Sequence, residues 1–187
     1  SLTAPVYLSG SWQNEKYFKE AAETIRRDFT FPDLPQERRD LANTTANDEH
    51  SVSVHIRRGD YAAAPLTNQH HGLCSPEYYA AAIQYIRNTC AVAPRLFLFS
   101  DEPGWVRDNF DACGFEATIV ESPEQAPWHD MHLMSLCRHH ITANSSFSWW
   151  GAWLGETDGG VVCAPSRWFI AGNMKDASPI PDRWVRL

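Results

Sequence analysis

Short apolar runs alternate with longer segments of helical spacing through most of this chain. Five runs rich in β-branched or aromatic residues predict strands at 51–57, 95–100, 117–120, 140–143 and 160–164. Between and after them, apolar residues recur every three or four positions and predict helices at 76–86, 103–113, 127–138 and 147–154. Strands that alternate with helices in this way predict an α/β fold, a parallel sheet with helices on both faces.

The first fifty residues follow a different pattern. An aromatic and then helical stretch over 5–31 precedes a polar stretch over 33–49, in which 36–42 has helical character. We therefore divide the chain into a helical and connector segment at 1–50 and an α/β domain at 51–187. A length of 187 residues suits one domain, or one half of a two-domain enzyme.

Parallel α/β sheets bind ligands at the carboxyl ends of their strands, and the first strand ends in a cluster of charged residues. Alternation along the strand places His55 and Arg57 on one side, whereas Arg58 lies at the exit of the strand. Two guanidinium groups beside the turn that Gly59 permits suit a diphosphate, which requires fixed, bidentate donors. A surface ion pair between one arginine and Asp60 is the alternative interpretation.

Acidic and hydroxyl side chains occupy the ends of other strands and the starts of helices. Asp101, after the second strand, either accepts hydrogen bonds from a ribose or sugar or caps the next helix. Asp130 either receives the paired N–H donors of a guanine or stabilises the first turn of its own helix. Asn144, Ser145 and Ser146 precede a helix whose free N–H groups suit a phosphate, which is compatible with N-capping by a serine.

Composition narrows the classes of ligand. With 16 basic and 23 acidic residues, the net charge of −7 argues against a general nucleic-acid or anionic-membrane surface. Thirteen of the 16 basic residues are arginine, the side chain that best fits phosphate and carboxylate groups. Neither a GxxxxGK[ST] nor a GxGxxG sequence occurs, so a nucleotide or nucleotide sugar is a better prediction than a nucleoside triphosphate or a dinucleotide.

Cysteine and histidine usage predicts neither disulfide bonds nor a metal site. Five widely spaced cysteines without a CxxC pair are typical of reduced thiols. His129 and His132 are three residues apart, but no further ligand has a convincing spacing for zinc. No run approaches the roughly 20 apolar residues of a membrane span, and the first residues lack the layout of a signal peptide.

Two long motifs make this sequence similar to a known enzyme family. Residues 52–61, VSVHIRRGDY, resemble the HxRRxD motif of the α1,2- and α1,6-fucosyltransferases. Residues 144–154, NSSFSWWGAWL, resemble a second motif of the α1,2-fucosyltransferases, glycosyltransferase family 11. Shorter pieces at 7–13, 97–102, 165–168 and 180–184 follow in the order of that family.

The resemblance implies a fold, a reaction and a set of functional residues. The α/β domain would be the Rossmann-like, GDP-binding C-terminal half of a GT-B-like enzyme, with 1–50 coming from the inter-domain region. The reaction would be an inverting transfer of L-fucose from GDP-β-L-fucose to a galactoside, with an α1,2 linkage and without metal or other cofactor. By similarity, the catalytic residues are Arg57, Arg58 and Asp60, and the substrate-binding residues are His55, Asp101, Asp130, Asn144, Ser145 and Ser146.

Within that set, the resemblance implies more specific roles. Arg57 and Arg58 would hold the diphosphate, and Asp130 would read the guanine. His55 would lie near the ribose or phosphate. Asp60 either orients an arginine or touches the reacting sugar, and it is the best local candidate for a general base.

The sequence departs from the family at its start. The glycine-rich opening segment and the longer N-terminal half of the family have no counterpart here. We expect that half to supply part of the acceptor cleft and to close over the diphosphate in a complete enzyme. The alternative to a transferase is therefore a GDP-binding half-domain without turnover.

We expect a cytoplasmic protein of carbohydrate metabolism, with peripheral membrane association at the inner membrane as an alternative. Its expected partners are GDP-fucose and a galactose-containing glycan rather than nucleic acid.

Overall fold

The computed structural model describes residues 7, 9, 14–64, 69, 71–91, 93–121, 126–169 and 178–187. Its centre is a sheet of six strands in the order β3-β2-β1-β4-β5-β6. All five neighbouring pairs are parallel. The predicted parallel α/β fold is therefore confirmed. The strands are β1 (Ser51–Ile56), β2 (Arg95–Ser100), β3 (Ala117–Val120), β4 (His139–Ile141), β5 (Val162–Ala164) and β6 (Val185–Arg186).

Seven α-helices accompany the strands in the described part of the chain, and two short 3₁₀ turns, Glu15–Tyr17 and Lys19–Ala21, precede them. The helices are α1 (Ala22–Asp28), α2 (Gln36–Ala46), α3 (Gly59–Ala63), α4 (Pro76–Cys90), α5 (Pro103–Asn109), α6 (Trp128–Ser135) and α7 (Ser146–Gly155). None of them is long and apolar enough to cross a membrane.

Local sequence signals explain where the longest helix, α4, begins and which face it buries. The Ser75 hydroxyl accepts a hydrogen bond from the backbone N–H of Tyr78, and Pro76 occupies the first turn. Ala82, Ile83 and Ile86 are completely buried, as expected for one apolar stripe of an amphipathic helix. The helix stops at Ala91, whose φ of 54° is left-handed and cannot continue it.

Both faces of the sheet are covered by helices, as predicted. Val54, Ile56 and Leu98 pack on one face with buried residues of α4 and with α5. On the other face, Phe97 and Phe99 pack with Leu133 and Met134 of α6. All six residues of β1 are buried, because this strand lies in the interior of the sheet and between two helical layers.

The segment before β1 lies against the α/β unit. The ring of Phe18 stacks on Trp150 of α7 at a centroid distance of 5.5 Å. The Arg26 guanidinium forms an ion pair with Glu156 at 2.7 Å and lies over the indole of Trp153. Leu34 is buried beneath α6 in the core cluster that includes Leu133. The division of the chain at residue 50 remains a prediction.

The structure differs from the expected elements at several ends. Helix α5 stops at Asn109 rather than 113, and β5 covers three residues instead of five. Helix α3 and strand β6 were not predicted. The predicted loop at 62–74 and the motif piece at 7–13 lie partly outside the described residues.

The order of the strands locates the site. Strand order reverses at β1 and β4, because the chain moves outward from β1 to β2 and β3 and then returns to the other side of β1. In open α/β sheets, ligands bind in the crevice outside the carboxyl ends of the strands at such a reversal. The residues that follow β1, β2 and β4 are the ones that the sequence singled out.

Candidate functional site

The ends of β1 and β2 lie side by side, because their register pairs Ile56 with Ser100. The next residues are consequently Arg57 and Asp101, and their side chains form an ion pair with Nη1 and Oδ2 at 3.1 Å. The other terminal nitrogen of Arg57 lies 2.6 Å from the Asp60 Oδ1 atom. Two carboxylates thus fix the orientation of the Arg57 guanidinium at the carboxyl edge of the sheet.

Asp101 also fixes the backbone that follows β1. Its Oδ1 atom accepts a hydrogen bond of 3.0 Å from the backbone N–H of Arg58. The neighbouring Gly59 begins α3 instead of forming the turn expected from the sequence. A β-carbon on Gly59 would overlap the Asp101 Oδ2 atom, so a larger residue here would displace this carboxylate from its observed position. Asp101 therefore contacts both arginines, the side chain of Arg57 and the backbone of Arg58.

Arg58 lies on the opposite side of the sheet edge from His55. Its Nε atom pairs with the Glu102 carboxylate at 3.1 Å, and its guanidinium lies 3.6 Å above the ring of Trp105 in α5. Among the described residues, its terminal nitrogens have no hydrogen-bond partner. The two arginines thus diverge, whereas the sequence suggested that both face one diphosphate. Their shared role toward a diphosphate remains a prediction.

Arg57 borders a cavity of about 480 Å³ together with three other predicted site residues, His55, Asp101 and Asp130. His55, Arg57 and Asp101 lie at the ends of β1 and β2, and Asp130 lies in the first turn of α6. This volume is in the range of small-ligand sites, about 300–1,000 Å³. The remaining lining consists of apolar walls and two further polar residues: Phe99, Ser100, Pro103, Val120, Glu121, Pro127, Met134 and Phe147.

His55 presents a neutral, buried imidazole to this cavity. Only 4% of the residue is exposed, and burial, followed by the charge of Arg57, lowers its pKa from 6.5 to about 3. Its backbone carbonyl accepts a hydrogen bond of 3.0 Å from the Tyr79 hydroxyl. Among the described residues, no atom hydrogen-bonds to Nδ1. Because buried polar atoms are normally paired, this nitrogen is a candidate contact for a ligand.

Asn144, Ser145 and Ser146 follow β4 and are not among the residues that line this cavity, whereas Phe147 is. The side-chain amide of Asn144 donates to the backbone carbonyl of His71 at 2.7 Å and is also near the carbonyls of Gly72 and Trp168. This buried amide joins two loops, so its side chain acts within the protein. Its predicted contact with substrate remains untested.

The two serines at the start of α7 differ in their surroundings. Ser145 is buried at the N-cap position but makes no side-chain capping bond, whereas Ser146 is exposed in the first turn. The first backbone N–H groups of an α-helix have no partner within the helix, and together with the helix dipole they favour an anion. This arrangement supports the predicted phosphate contact, which the structure does not test.

Two contributors were not predicted as site residues. Glu102 and Trp105 hold the Arg58 side chain, and the only sequence signal was their position in the turn and the helix that follow β2. All five cysteines are free thiols, as expected. His132, one of the histidines considered for zinc, instead stacks on the ring of Phe31 at 4.7 Å.

The chain matches one protein family and several characterised relatives. Residues 2–187 match the family described as Glycosyl transferase family 11. The α1,2-colitosyltransferase of Escherichia coli is 37% identical over 190 residues, which cover 100% of this chain and 64% of that protein. The O-antigen biosynthesis glycosyltransferase WbnK of Escherichia coli is 36% identical over 183 residues, with 91% and 59% covered. The human galactoside α-(1,2)-fucosyltransferase 1 is 28% identical over 159 residues, with 81% and 43% covered.

These matches extend along nearly the whole chain, although the chain spans only about three fifths of the length of its Escherichia coli relatives. The match includes both long motifs and the strands that they follow. The resemblance read from residues 52–61 and 144–154 is thereby confirmed, and the chain belongs to glycosyl transferase family 11.

Proposed function

We propose that this chain carries the donor site of an inverting glycosyltransferase that moves L-fucose from GDP-β-L-fucose to a hydroxyl of a galactoside, with an α1,2 linkage. The observation that carries the proposal is the cavity at the carboxyl edge of the sheet. It combines a fixed guanidinium, Arg57, with a neutral imidazole, His55, and a half-buried carboxylate, Asp130. These groups match the phosphate, ribose and guanine of GDP.

Arg57 would stabilise the leaving group. Departure of the sugar builds negative charge on the β-phosphate of GDP, and a preorganised guanidinium lowers the energy of that transition state. The ion pairs with Asp60 and Asp101 keep Arg57 oriented before the ligand arrives. Removing one such donor typically costs about 3 kcal/mol in the transition state. The N-terminus of α7, beginning at Ser146, would add a second source of positive potential.

Asp130 would select the base. Its carboxylate lies in the first turn of α6 and lines the cavity. Two carboxylate oxygens can accept the ring N–H and the exocyclic amine of guanine in parallel, whereas uracil offers no such pair of donors. The apolar walls, among them Val120 and Pro127, would cover the faces of the base.

Asp60 would position Arg57. Its Oδ1 atom lies 2.6 Å from a terminal nitrogen of Arg57, so the motif aspartate and the motif arginine act as one unit. Half of the Asp60 side chain is exposed, so the carboxylate is also accessible from solvent. A general base is needed to take the proton of the acceptor hydroxyl, and Asp60 is the local candidate for that second role.

The reaction proposed here uses no metal ion. The arginine and the helix N-terminus would offset part of the charge of the diphosphate, which is the electrostatic task that a divalent cation performs in other transferases.

The donor sugar has a second candidate. Colitose is the sugar in the name of the relative that is 37% identical, and this identity favours testing it beside fucose.

Calorimetric titration of this chain with GDP, GDP-fucose and UDP tests the donor site. We expect binding that favours guanine and that survives EDTA. Absence of GDP binding would contradict the donor-site proposal, and loss of binding in EDTA would contradict the metal-independent one.

Turnover is tested separately by incubating the chain with GDP-fucose and lactose and detecting a fucosylated product. Product formation supports the transferase. Tight GDP binding without product would instead support the alternative function, a GDP-binding half-domain. That alternative is relevant because the chain covers 64% of the colitosyltransferase.

A further inference from the structure

A second cavity opens on the other side of Arg57. It has a volume of about 550 Å³ and lies between the start of α4, helix α5 and the end of β1. Tyr79, Trp105 and Phe110 supply aromatic walls, and Leu73 stands among the lining residues with 38% of its surface exposed. This cavity is distinct from the one that His55 and Asp130 line, but Arg57 belongs to both.

The second cavity combines apolar walls with a charged hydrogen-bond donor group. Its walls are mainly apolar, yet Arg58 enters it with a guanidinium that Glu102 and the Trp105 ring hold in place. Among the described residues, the terminal nitrogens of Arg58 have no hydrogen-bond partner, so they remain available to oxygen atoms of a ligand. A purely apolar ligand would leave these donors unused. A deoxysugar, with a methyl group and several hydroxyls, would use both the rings and the donors.

The connectivity of a nucleotide sugar adds an independent constraint. Its base, ribose, diphosphate and sugar are joined in that order, so in an extended donor the sugar lies beyond the diphosphate, away from the nucleoside. If the nucleoside lies near Asp130 and the diphosphate at Arg57, the next space along the line is the cavity on the Arg58 side. The two cavities share Arg57, as a ligand that passes from one to the other requires.

We infer that the cavity lined by Tyr79, Trp105 and Phe110 holds the 6-deoxyhexosyl group of the donor, while the cavity lined by His55 and Asp130 holds its nucleoside. The inference rests on the proposed function, because it assumes a GDP-sugar donor. It assigns Arg57 to the diphosphate and Arg58 to the sugar side. Because the two arginine side chains point to different cavities, each contacts a different part of the same extended ligand.

The test compares the affinities of GDP and GDP-fucose. Leu73→Trp adds bulk at an exposed lining position and should weaken GDP-fucose about tenfold while GDP stays within twofold of the unchanged protein. Tyr85→Trp is the control, because Tyr85 lies on the same helix as Tyr79, is 37% exposed and does not line the cavity. Phe110→Ala removes an aromatic wall and should likewise weaken only GDP-fucose.

Each other outcome has a definite meaning. If GDP binds normally and Leu73→Trp leaves the ratio of the two affinities unchanged, the sugar does not occupy this cavity and the inference is wrong. If Leu73→Trp weakens GDP and GDP-fucose equally, the nucleotide itself uses this cavity and the division is wrong. If the unchanged protein binds neither compound, the proposed donor site fails before the inference is reached.

Discussion

Replacing Arg57 by alanine separates a ligand-binding role from a structural one. The Arg57 side chain is 32% exposed, and its partners Asp60 and Asp101 are 53% and 24% exposed. Ion pairs that are open to water contribute about 0–1 kcal/mol to stability, because solvent screens them. We therefore expect Arg57→Ala to lower the free energy of unfolding by about 1 kcal/mol or less.

The expected effect on binding is larger. A hydrogen bond to a charged group contributes about 1.5–3 kcal/mol, and removing Arg57 also leaves the negative charges of Asp60 and Asp101 facing the phosphates. A loss of about 2–3 kcal/mol corresponds to roughly 30- to 150-fold in the Kd for GDP. Calorimetry with GDP measures this change, and urea unfolding measures the stability of the same variant.

Arg95→Ala is a matched control. Arg95 is 40% exposed and also has two carboxylate partners, Asp48 at 3.1 Å and Glu116 at 3.2 Å. It begins β2, at the edge of the sheet opposite the cavity. If the two variants bind GDP equally well, or if Arg57→Ala unfolds the protein while Arg95→Ala does not, Arg57 is a structural residue and our reasoning is wrong.

Three further predictions concern the base, the buried imidazole and the glycine after β1. Asp130→Asn should weaken GDP about tenfold or more and UDP much less in calorimetry, since it replaces one acceptor oxygen by a donor; equal losses would make Asp130 structural. Unfolded His55 titrates near 6.5 and folded His55 near 3, so the unfolded chain binds the extra proton between these values and stability falls as the pH falls through that window. Urea unfolding between pH 7.5 and 5 should therefore give a free energy of unfolding that falls as the pH falls. His55→Gln should reduce the slope of this free energy against pH by up to about 1.4 kcal/mol per pH unit, and an unchanged slope would contradict the burial argument. Gly59→Ala should displace the Asp101 carboxylate and weaken GDP binding about tenfold or more. Gly104→Ala is the control: no atom lies within 4 Å of the added β-carbon, so this variant should bind GDP normally and unfold at a slightly higher urea concentration. Normal GDP binding by Gly59→Ala would show that the carboxylate can move without consequence.

Much of the fold could be predicted because its signals are local. The alternation of apolar strands with amphipathic helices is visible within windows of a few residues, and β1, β2 and β3 lie where that pattern places them. The weakest prediction was at the end of the sheet. Strand β6 has only two residues, and its pairing with β5 depends on a neighbour about twenty residues away. A run that short carries no detectable period of its own.

The site was predictable to a similar degree. Arg57 and Asp101 could be assigned to strand ends from the sequence, and parallel pairing makes strand ends meet at one edge. Their contact at 3.1 Å depends on the register of β1 and β2, which no local pattern specifies. The direction of Arg58 depends in the same way on Glu102 and Trp105, which belong to a segment more than forty residues further along the chain.

Local patterning and two motifs were therefore sufficient for the parallel α/β fold, for the family, and for the positions of the charged residues at strand ends. Strand order, register and the packing of α5 were needed to show which of those charges meet. They placed Arg57 between two carboxylates and turned Arg58 toward a separate cavity. The physical reason is that secondary structure follows the burial of neighbouring residues, whereas a binding site is assembled from segments that only the long-range packing of the chain brings together.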